Sequence, residues 1–228
     1  PRYLDPARHA ADVFAERLAE QGIVVVGSPR RAAAPEDAEQ IAEVRSATIA
    51  EITELMLTAS ENTVSEVLGR LAAVATGLPG SFDGAAEAMR NAVVAAGIDP
   101  GRLRVVDGSG LSAAAGVPPA VLVAMVERMT RPELGSGLRE AALGLPVAGL
   151  EGTLGDRFLS SSGNAVVRAK TGSLPGVTSL AGLVLTADDR ELAFAVLADD
   201  TGEGGQWGPR AAIDPFVDAL AACGCRGE

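Results

Sequence analysis

The sequence predicts an α+β fold in which helices come first and an antiparallel sheet last. Two observations carry this. Through the first 143 residues, several segments place their apolar residues at helical spacing, between recognisable start and stop signals. In the last third, residues 165–170, 177–186 and 191–198 read instead as three short strands, the last two joined by a tight turn at Asp188-Asp189. Helices followed by a hairpin sheet give an antiparallel sheet flanked by helices, not a doubly wound parallel one.

Taken in order, Asp5-Pro6 reads as an N-cap and first helical residue, and Ala7, Ala10, Ala11, Phe14 and Leu18 follow at helical spacing until Gly22 stops the helix. The run Ile23-Val24-Val25-Val26 is expected to be a short buried strand, and residues 27–39, with Pro29 and Pro35, a linker. A helix from about Thr48 to Leu57 leads into Ser60-Glu61-Asn62, and another covers Thr63 to about Ala75. Residues 82–96 form a helix closed by Gly97. Leu103 to Val106 reads as a short strand ending in the turn Asp107-Gly108-Ser109-Gly110, and helices follow over 118–129 and 132–143. Residues 207–222 close the chain as a helix with Ile213, Phe216, Val217 and Leu220 on one face.

Composition excludes several classes. A net charge of −11 argues against nucleic acid, which needs clustered cations for its phosphates. Hydrophobic residues make up 47% of the chain and aromatics 3%, so the 228 residues can build a core, mostly of Ala, Val and Leu. No apolar run approaches the ~20 residues that span a bilayer. No signal peptide is visible, and the chain starts at Pro1, so the expectation is a removed leader or a start within a longer protein. Cys223 and Cys225 either pair with each other, pair outside the chain, or stay idle. Two thiols and the distant His9 do not make four metal ligands, so a metal site is not expected; with one histidine a Ser-His-Asp triad is not expected either, nor is a cofactor.

The basic count is 19, and the only lysine among them is Lys170, in Lys170-Thr171-Gly172-Ser173 at the end of a strand. A fixed cation favours deprotonated nucleophiles and anionic substrate groups. Gly172 lets a substrate backbone approach the strand edge, Thr171 and Ser173 offer hydroxyls to a carboxylate, and an exposed N–H can complete an oxyanion hole. Alone, the triplet is also what an ordinary strand end with a solvated lysine looks like. Ser60-Glu61-Asn62 lies between two helices, where Ser60 can relay a proton and Asn62 can hold a substrate amide. Ser60 or Asn62 can equally be the N-cap of the helix that follows. Lys-Thr-Gly and Ser-x-Asn are two of the three marks of penicillin-interacting serine enzymes; the third, Ser-x-x-Lys, cannot exist in a chain with one lysine so placed.

The wording around these triplets is more specific. Ser60-Glu61-Asn62 continues into Ser65-Glu66-Val67-Leu68. Then come Asp107-Gly108-Ser109-Gly110-Leu111-Ser112, Leu145-Pro146-Val147-Ala148-Gly149, Gly152-Thr153-Leu154 and Arg157-Phe158, and Lys170-Thr171-Gly172-Ser173-Leu174 runs on to Ser179-Leu180-Ala181-Gly182. From about Asp5 to Ala222 the chain resembles the class C low-molecular-mass penicillin-binding proteins, the D-alanyl-D-alanine carboxypeptidase/endopeptidase family. The resemblance implies a serine β-lactamase/transpeptidase-like fold, incomplete in this chain, with residues 1–228 the C-terminal portion of one such domain. It implies catalytic roles for Ser60, Asn62 and Lys170 and substrate binding by Thr171, Gly172 and Ser173, the last through its N–H and its hydroxyl. It implies a cleft-lining structural turn at 107–112.

The implied function is removal of the terminal D-alanine from peptidoglycan stem peptides through an acyl-enzyme. β-Lactams would be ligands, the location exported, and a polypeptide carrying Ser-x-x-Lys a partner. Departures from the family pattern are Glu61 where Asp is usual, and Ala113, Ala115 and Pro118-Pro119 where polar residues are common. The missing Ser-x-x-Lys means either that the nucleophile lies on another piece, this chain alone being inactive, or that a homologue has lost catalysis and serves as a peptidoglycan-binding module. The retained Lys-Thr-Gly favours the first. A β-lactamase or esterase on the same fold is a third reading, opposed by the Gly-Ser-Gly-Leu-Ser and Leu-Pro-Val-Ala-Gly blocks.

Overall fold

The computed structural model describes residues 3–131, 133, 136–202 and 207–224. They fall into two units, 1–46 and 47–228.

The first unit contains α1 (Pro6–Glu20), started as expected by Asp5, whose carboxylate accepts from Arg8 N–H, and followed by Gly22 at φ +80°. None of its helical residues is buried. Ile23 to Val26 do not form the expected buried strand: no strand is assigned there, and Val24 and Val26 are 82% and 93% exposed. A β-branched run can join a sheet only if a partner offers its ladder of N–H and C=O groups. No described residue does so here.

The second unit is the expected α+β arrangement. Its helices are α2 (Ile49–Ala59), α3 (Asn62–Ala75), α4 (Phe82–Ala95), α5 (Pro119–Met129), α6 (Ser136–Leu143) and α7 (Trp207–Ala221), and a 3-10 turn lies at Gly152–Leu154. The strands are β1 (Val167–Leu174), β2 (Val177–Leu185) and β3 (Glu191–Ala198), antiparallel in that spatial order. A capping box opens α2: Thr48 accepts from Glu51 N–H while the Glu51 carboxylate accepts from Thr48 N–H. Ser81 caps α4 in the same position.

Side-chain alternation gives the sheet two buried faces. Val167, Ala169, Leu180, Val184 and Phe194 pack with Ile213, Val217 and Ala221 of α7, together with Leu154 and Phe158. On the other face Leu183 packs with Val126 of α5 and Ala142 of α6. A third cluster, Val93, Ile98, Leu103 and Val121, joins α4 to α5.

Two expected boundaries differ. The segment 103–106 is not a strand: only Arg104 pairs, exchanging N–H···O bonds of 2.8 and 2.9 Å with Gly116. Asp107 then accepts from the N–H groups of Gly110 and Ser112 at 2.8 and 2.7 Å, which turns the chain before a second pair can form. The Lys-Thr-Gly triplet does not end a strand. β1 runs on to Leu174, because the hairpin turn comes only at Pro175-Gly176, with Gly176 at φ +75°. Of the helix expected over 132–143, Pro132 lies outside the described residues. Cys223 is disulfide-bonded, and Cys225 also lies outside them.

Candidate active site

The site begins at the C-terminus of α2. Its last turn is tied down from one side: Thr58 donates to the Gly144 carbonyl at 3.2 Å, Gly144 packs tightly against Glu54, and Gly152 presses so closely on the Thr58 carbonyl that it has no room for a Cβ. Gly152 also requires its φ of +56°. Ser60 is the C-cap of this helix, in the left-handed conformation at φ 56°, ψ 48°. It is therefore not an N-cap, as the sequence allowed; Glu61 occupies that place without a capping side chain, and Asn62 opens α3 exposed to solvent. A left-handed serine costs about 1–2 kcal/mol. The Ser60 and Glu61 N–H groups, both donating to the Met56 carbonyl, hold it there.

Opposite stands β1. Its outer edge is covered at one end by the segment Pro146–Ala148: Ala148 N–H donates to the Val167 carbonyl at 2.9 Å and Ala169 N–H to the Pro146 carbonyl at 3.0 Å. Backbone groups in a ladder point to alternate sides with a period of two. Thr171 and Ser173 N–H groups thus face the same way as that of Ala169, and no described backbone pairs with them there. The inner edge is closed by β2 in the register Lys170↔Ala181, Gly172↔Ser179. A Cβ on Gly172 would overlap Ser179 Oγ, so a larger residue there would have to turn the Ser179 hydroxyl aside.

Lys170 bridges the two elements. Its Nζ donates to Ser60 Oγ at 2.8 Å, across 110 residues of sequence, and to the Thr171 carbonyl at 3.0 Å. Burial pushes its pKa below the ordinary lysine range, since the charged form loses water. Thr171 donates to Thr153 Oγ1 at 3.0 Å, and Ser173 Oγ accepts from Arg210 of α7 at 3.1 Å. Of the six sequence-predicted residues, the structure joins Ser60 to Lys170 by a hydrogen bond, sets Thr171, Gly172 and Ser173 next along β1 with the Thr171 and Ser173 hydroxyls bonded to Thr153 and Arg210, and leaves Asn62 two residues beyond Ser60 at the head of α3.

Asp107-Gly108-Ser109-Gly110-Leu111-Ser112 is a structural turn, as expected, and the chain dictates how it is held. The Glu66 carboxylate on α3 accepts from Ser109 Oγ at 2.6 Å and from the N–H groups of Ser109 and Gly108 at 3.0 and 3.2 Å, while Ser65 Oγ donates to the Gly108 carbonyl. Partial burial raises the Glu66 pKa, but the donors, led by Ser109, outweigh it and the net shift is downward. Sequence reasoning missed this clamp, and it missed Thr153 and Arg210 as neighbours of the triplet. The block containing Gly152-Thr153 was visible as a block, without a role. Among the described residues no group of three or more metal-ligating side chains occurs.

Residues 2–220 match the family described as D-Ala-D-Ala carboxypeptidase 3 (S13). The chain is 37% identical over 198 residues to Carboxypeptidase Rv3627c of Mycobacterium tuberculosis, covering 85% of this chain and 42% of that protein. It is 31% identical over 203 residues to the D-alanyl-D-alanine carboxypeptidase of Actinomadura sp. R39, covering 85% of this chain and 37% of that one. Among solved structures, penicillin binding protein 4 of Haemophilus influenzae in complex with a β-lactam superposes with a TM-score of 0.75 at 27% identity, over 91% of this chain and 49% of that one. An extended-spectrum β-lactamase, TLA-1, shares the fold at a TM-score of 0.52. The chain spans less than half the length of these curated relatives.

Proposed function

The chain belongs to the D-Ala-D-Ala carboxypeptidase 3 (S13) family, and we propose that it is the C-terminal portion of the penicillin-binding domain of a serine-type D-Ala-D-Ala carboxypeptidase, with the nucleophilic serine outside these 228 residues. The observation that carries this reading is the Lys170 Nζ–Ser60 Oγ hydrogen bond of 2.8 Å, which joins the second and third motifs into one proton-handling pair. We place the nucleophile elsewhere because Ser-x-x-Lys needs a serine three residues before a lysine, and the single lysine, Lys170, has Val167 there.

The chemistry follows from the residues. A peptide ending in D-Ala-D-Ala lies along the outer edge of β1 past Ala169, where the Ser173 N–H faces outward and Gly172 leaves clearance. The serine of the missing element attacks the carbonyl of the penultimate D-alanine. The C–N bond to the terminal D-alanine breaks, and an acyl-enzyme forms that water then releases. Ser60 accepts from Lys170, so its own proton is turned away from the cation and is available to the leaving amine; the proton lost by the nucleophile replaces it. Lys170, partly stripped of water, supplies a positive potential that favours the oxyanion, completed by the Ser173 N–H. Asn62 holds the substrate amide, and Thr171 and Ser173 the terminal carboxylate. β-Lactams acylate the same serine. A peptidoglycan substrate places the protein outside the cytoplasmic membrane; no described helix is long and apolar enough to cross one.

Lys170→Ala in the complete protein tests the reading. Acylation by benzylpenicillin should slow by about 10²–10⁴-fold, the range for loss of a proton-transfer group. Acylation at the unaltered rate would remove Lys170 from the site.

A further inference from the structure

The second unit carries a cavity that the steps above leave unused. It lies between the end of α4 and α5, has a volume of about 480 Å³, and shares no lining residue with the site around Ser60 and Lys170. That is the size of a small-molecule pocket. Its walls follow from the sequence. α4 is stopped by Gly97, at φ +71°, and the chain turns at Asp99-Pro100-Gly101, where the Asp99 carboxylate accepts from the Gly101 N–H at 2.9 Å. α5 supplies the opposite wall, with Ala120, Val121, Ala124, Glu127 and Arg128 at helical spacing on one face.

Floor and rim differ in kind. Ile98 and Val121 are buried in the apolar cluster that joins α4 to α5, and Ala124 packs against it. The rim holds three cations, Arg102, Arg128 and Arg131, in a chain whose net charge is −11. Arg128 is engaged with the Gly97 carbonyl, to which its Nη2 donates at 3.2 Å. Arg131 faces Glu133 at 4.0 Å, with both side chains more than half exposed, an ion pair worth little in water. Arg102 makes no hydrogen bond or ion pair with any described residue. Of the two acids on the walls, Asp99 holds the Gly101 N–H, while the Glu127 carboxylate has no described partner.

These charges select a ligand. Guanidinium forks pair with carboxylate or phosphate oxygens. A phosphate would meet the Glu127 carboxylate on the same rim. A peptide with free carboxylates and one free amine satisfies both signs, and the apolar floor accepts its small side chains. We propose that this cavity is a second, non-catalytic binding site for a short anionic peptide that also carries a free amine, the charge pattern of an uncrosslinked peptidoglycan stem. The carboxylates lie at Arg102 and Arg131 and the amine at Glu127. The source of the peptide rests on the proposed carboxypeptidase function. The cavity adds to that function a place where a neighbouring stem is held while another is cut.

The test uses the complete protein acylated with benzylpenicillin, which blocks the nucleophile, and the tripeptide L-Ala-γ-D-Glu-meso-diaminopimelate, which has no D-Ala-D-Ala to be cleaved. Binding is read by isothermal titration calorimetry. One tripeptide should bind. Arg102→Glu and Arg131→Glu should each weaken it at least about tenfold. Glu127→Gln should weaken the tripeptide but tighten succinate, a dicarboxylate without an amine. All three side chains are exposed, so the fold is not at stake. No binding to the acylated protein, or unchanged affinity in Arg102→Glu, would overturn the inference. Tighter binding of inorganic phosphate than of the tripeptide would also overturn it, in favour of a phosphate site. A protein that takes up no penicilloyl group would sink the carboxypeptidase reading, while the same titration, with and without Arg102→Glu, still decides the cavity.

Discussion

Lys170 is a cation held where cations are disfavoured, and this has a consequence that can be measured without any substrate. Its folded-state pKa lies below 10.5, so between that value and 10.5 the unfolded chain binds more protons than the folded one, and stability rises with pH across the window. The penalty for burying the charge is present below the folded pKa and disappears as pH rises through it. Lys170→Met removes this dependence. The stability of wild type relative to Lys170→Met, from urea unfolding, should be flat near neutral pH and then shift in favour of wild type as pH approaches 10.5. A difference that stays constant to that pH would mean that the lysine is not desolvated. At this scale the sequence was informative about residue types: a single lysine placed in Lys-Thr-Gly-Ser already marked the triplet. It was silent on Arg210 and Thr153, because their partners, Ser173 and Thr171, are 37 and 18 residues away in sequence and nothing local demands the contacts. It was also silent on the left-handed Ser60, a conformation that glycine or asparagine would have advertised.

At the level of elements, the site is precise because β1 has little freedom to move. Gly182 of β2 faces Ala169 in the ladder, and a Cβ there would fall on the Arg168 carbonyl and on Ala169 Cα and Cβ, backbone that cannot rotate away. Gly182→Ala should cost about 2–3 kcal/mol by overpacking and lower Tm by about 5–10 °C. Gly208→Ala, where nothing lies within 4 Å on α7, should leave Tm within about 2 °C. Equal melting temperatures for the two variants would mean that the β1–β2 pair is not this tightly set. Caps and turns made the element borders legible: Asp5, Thr48 and Gly22 start or stop helices where expected. The hairpin at Asp188-Asp189 is also where its turn residues put it, with Asp189 at φ 59°. The two failures share one cause. Ile23–Val26 and Leu103–Val106 are apolar and β-branched enough to be strands, but a strand is a pairing, and composition does not report whether a partner is present.

For the molecule as a whole, the S13 family assignment and the geometry of the second unit point the same way. Two of three motifs meet at Ser60 and Lys170, on a fold shared with penicillin binding protein 4. The third motif is excluded by the lysine count. The fold class was readable from the helix-then-strand order, and the candidate triplets Ser60-Glu61-Asn62 and Lys170-Thr171-Gly172 could be picked out because each is contiguous in sequence. The acidic balance of −11, by contrast, excluded nucleic acid and said nothing about a peptide ligand. The central claim is that this chain completes a site whose nucleophile is supplied by Ser-x-x-Lys from outside it. The most direct measurement is peptide mapping by mass spectrometry of the complete protein after incubation with benzylpenicillin. One penicilloyl group is expected, on the serine of a Ser-x-x-Lys sequence outside these 228 residues. A penicilloyl group on Ser60 or on any other serine of this chain, or no adduct at all, would contradict it.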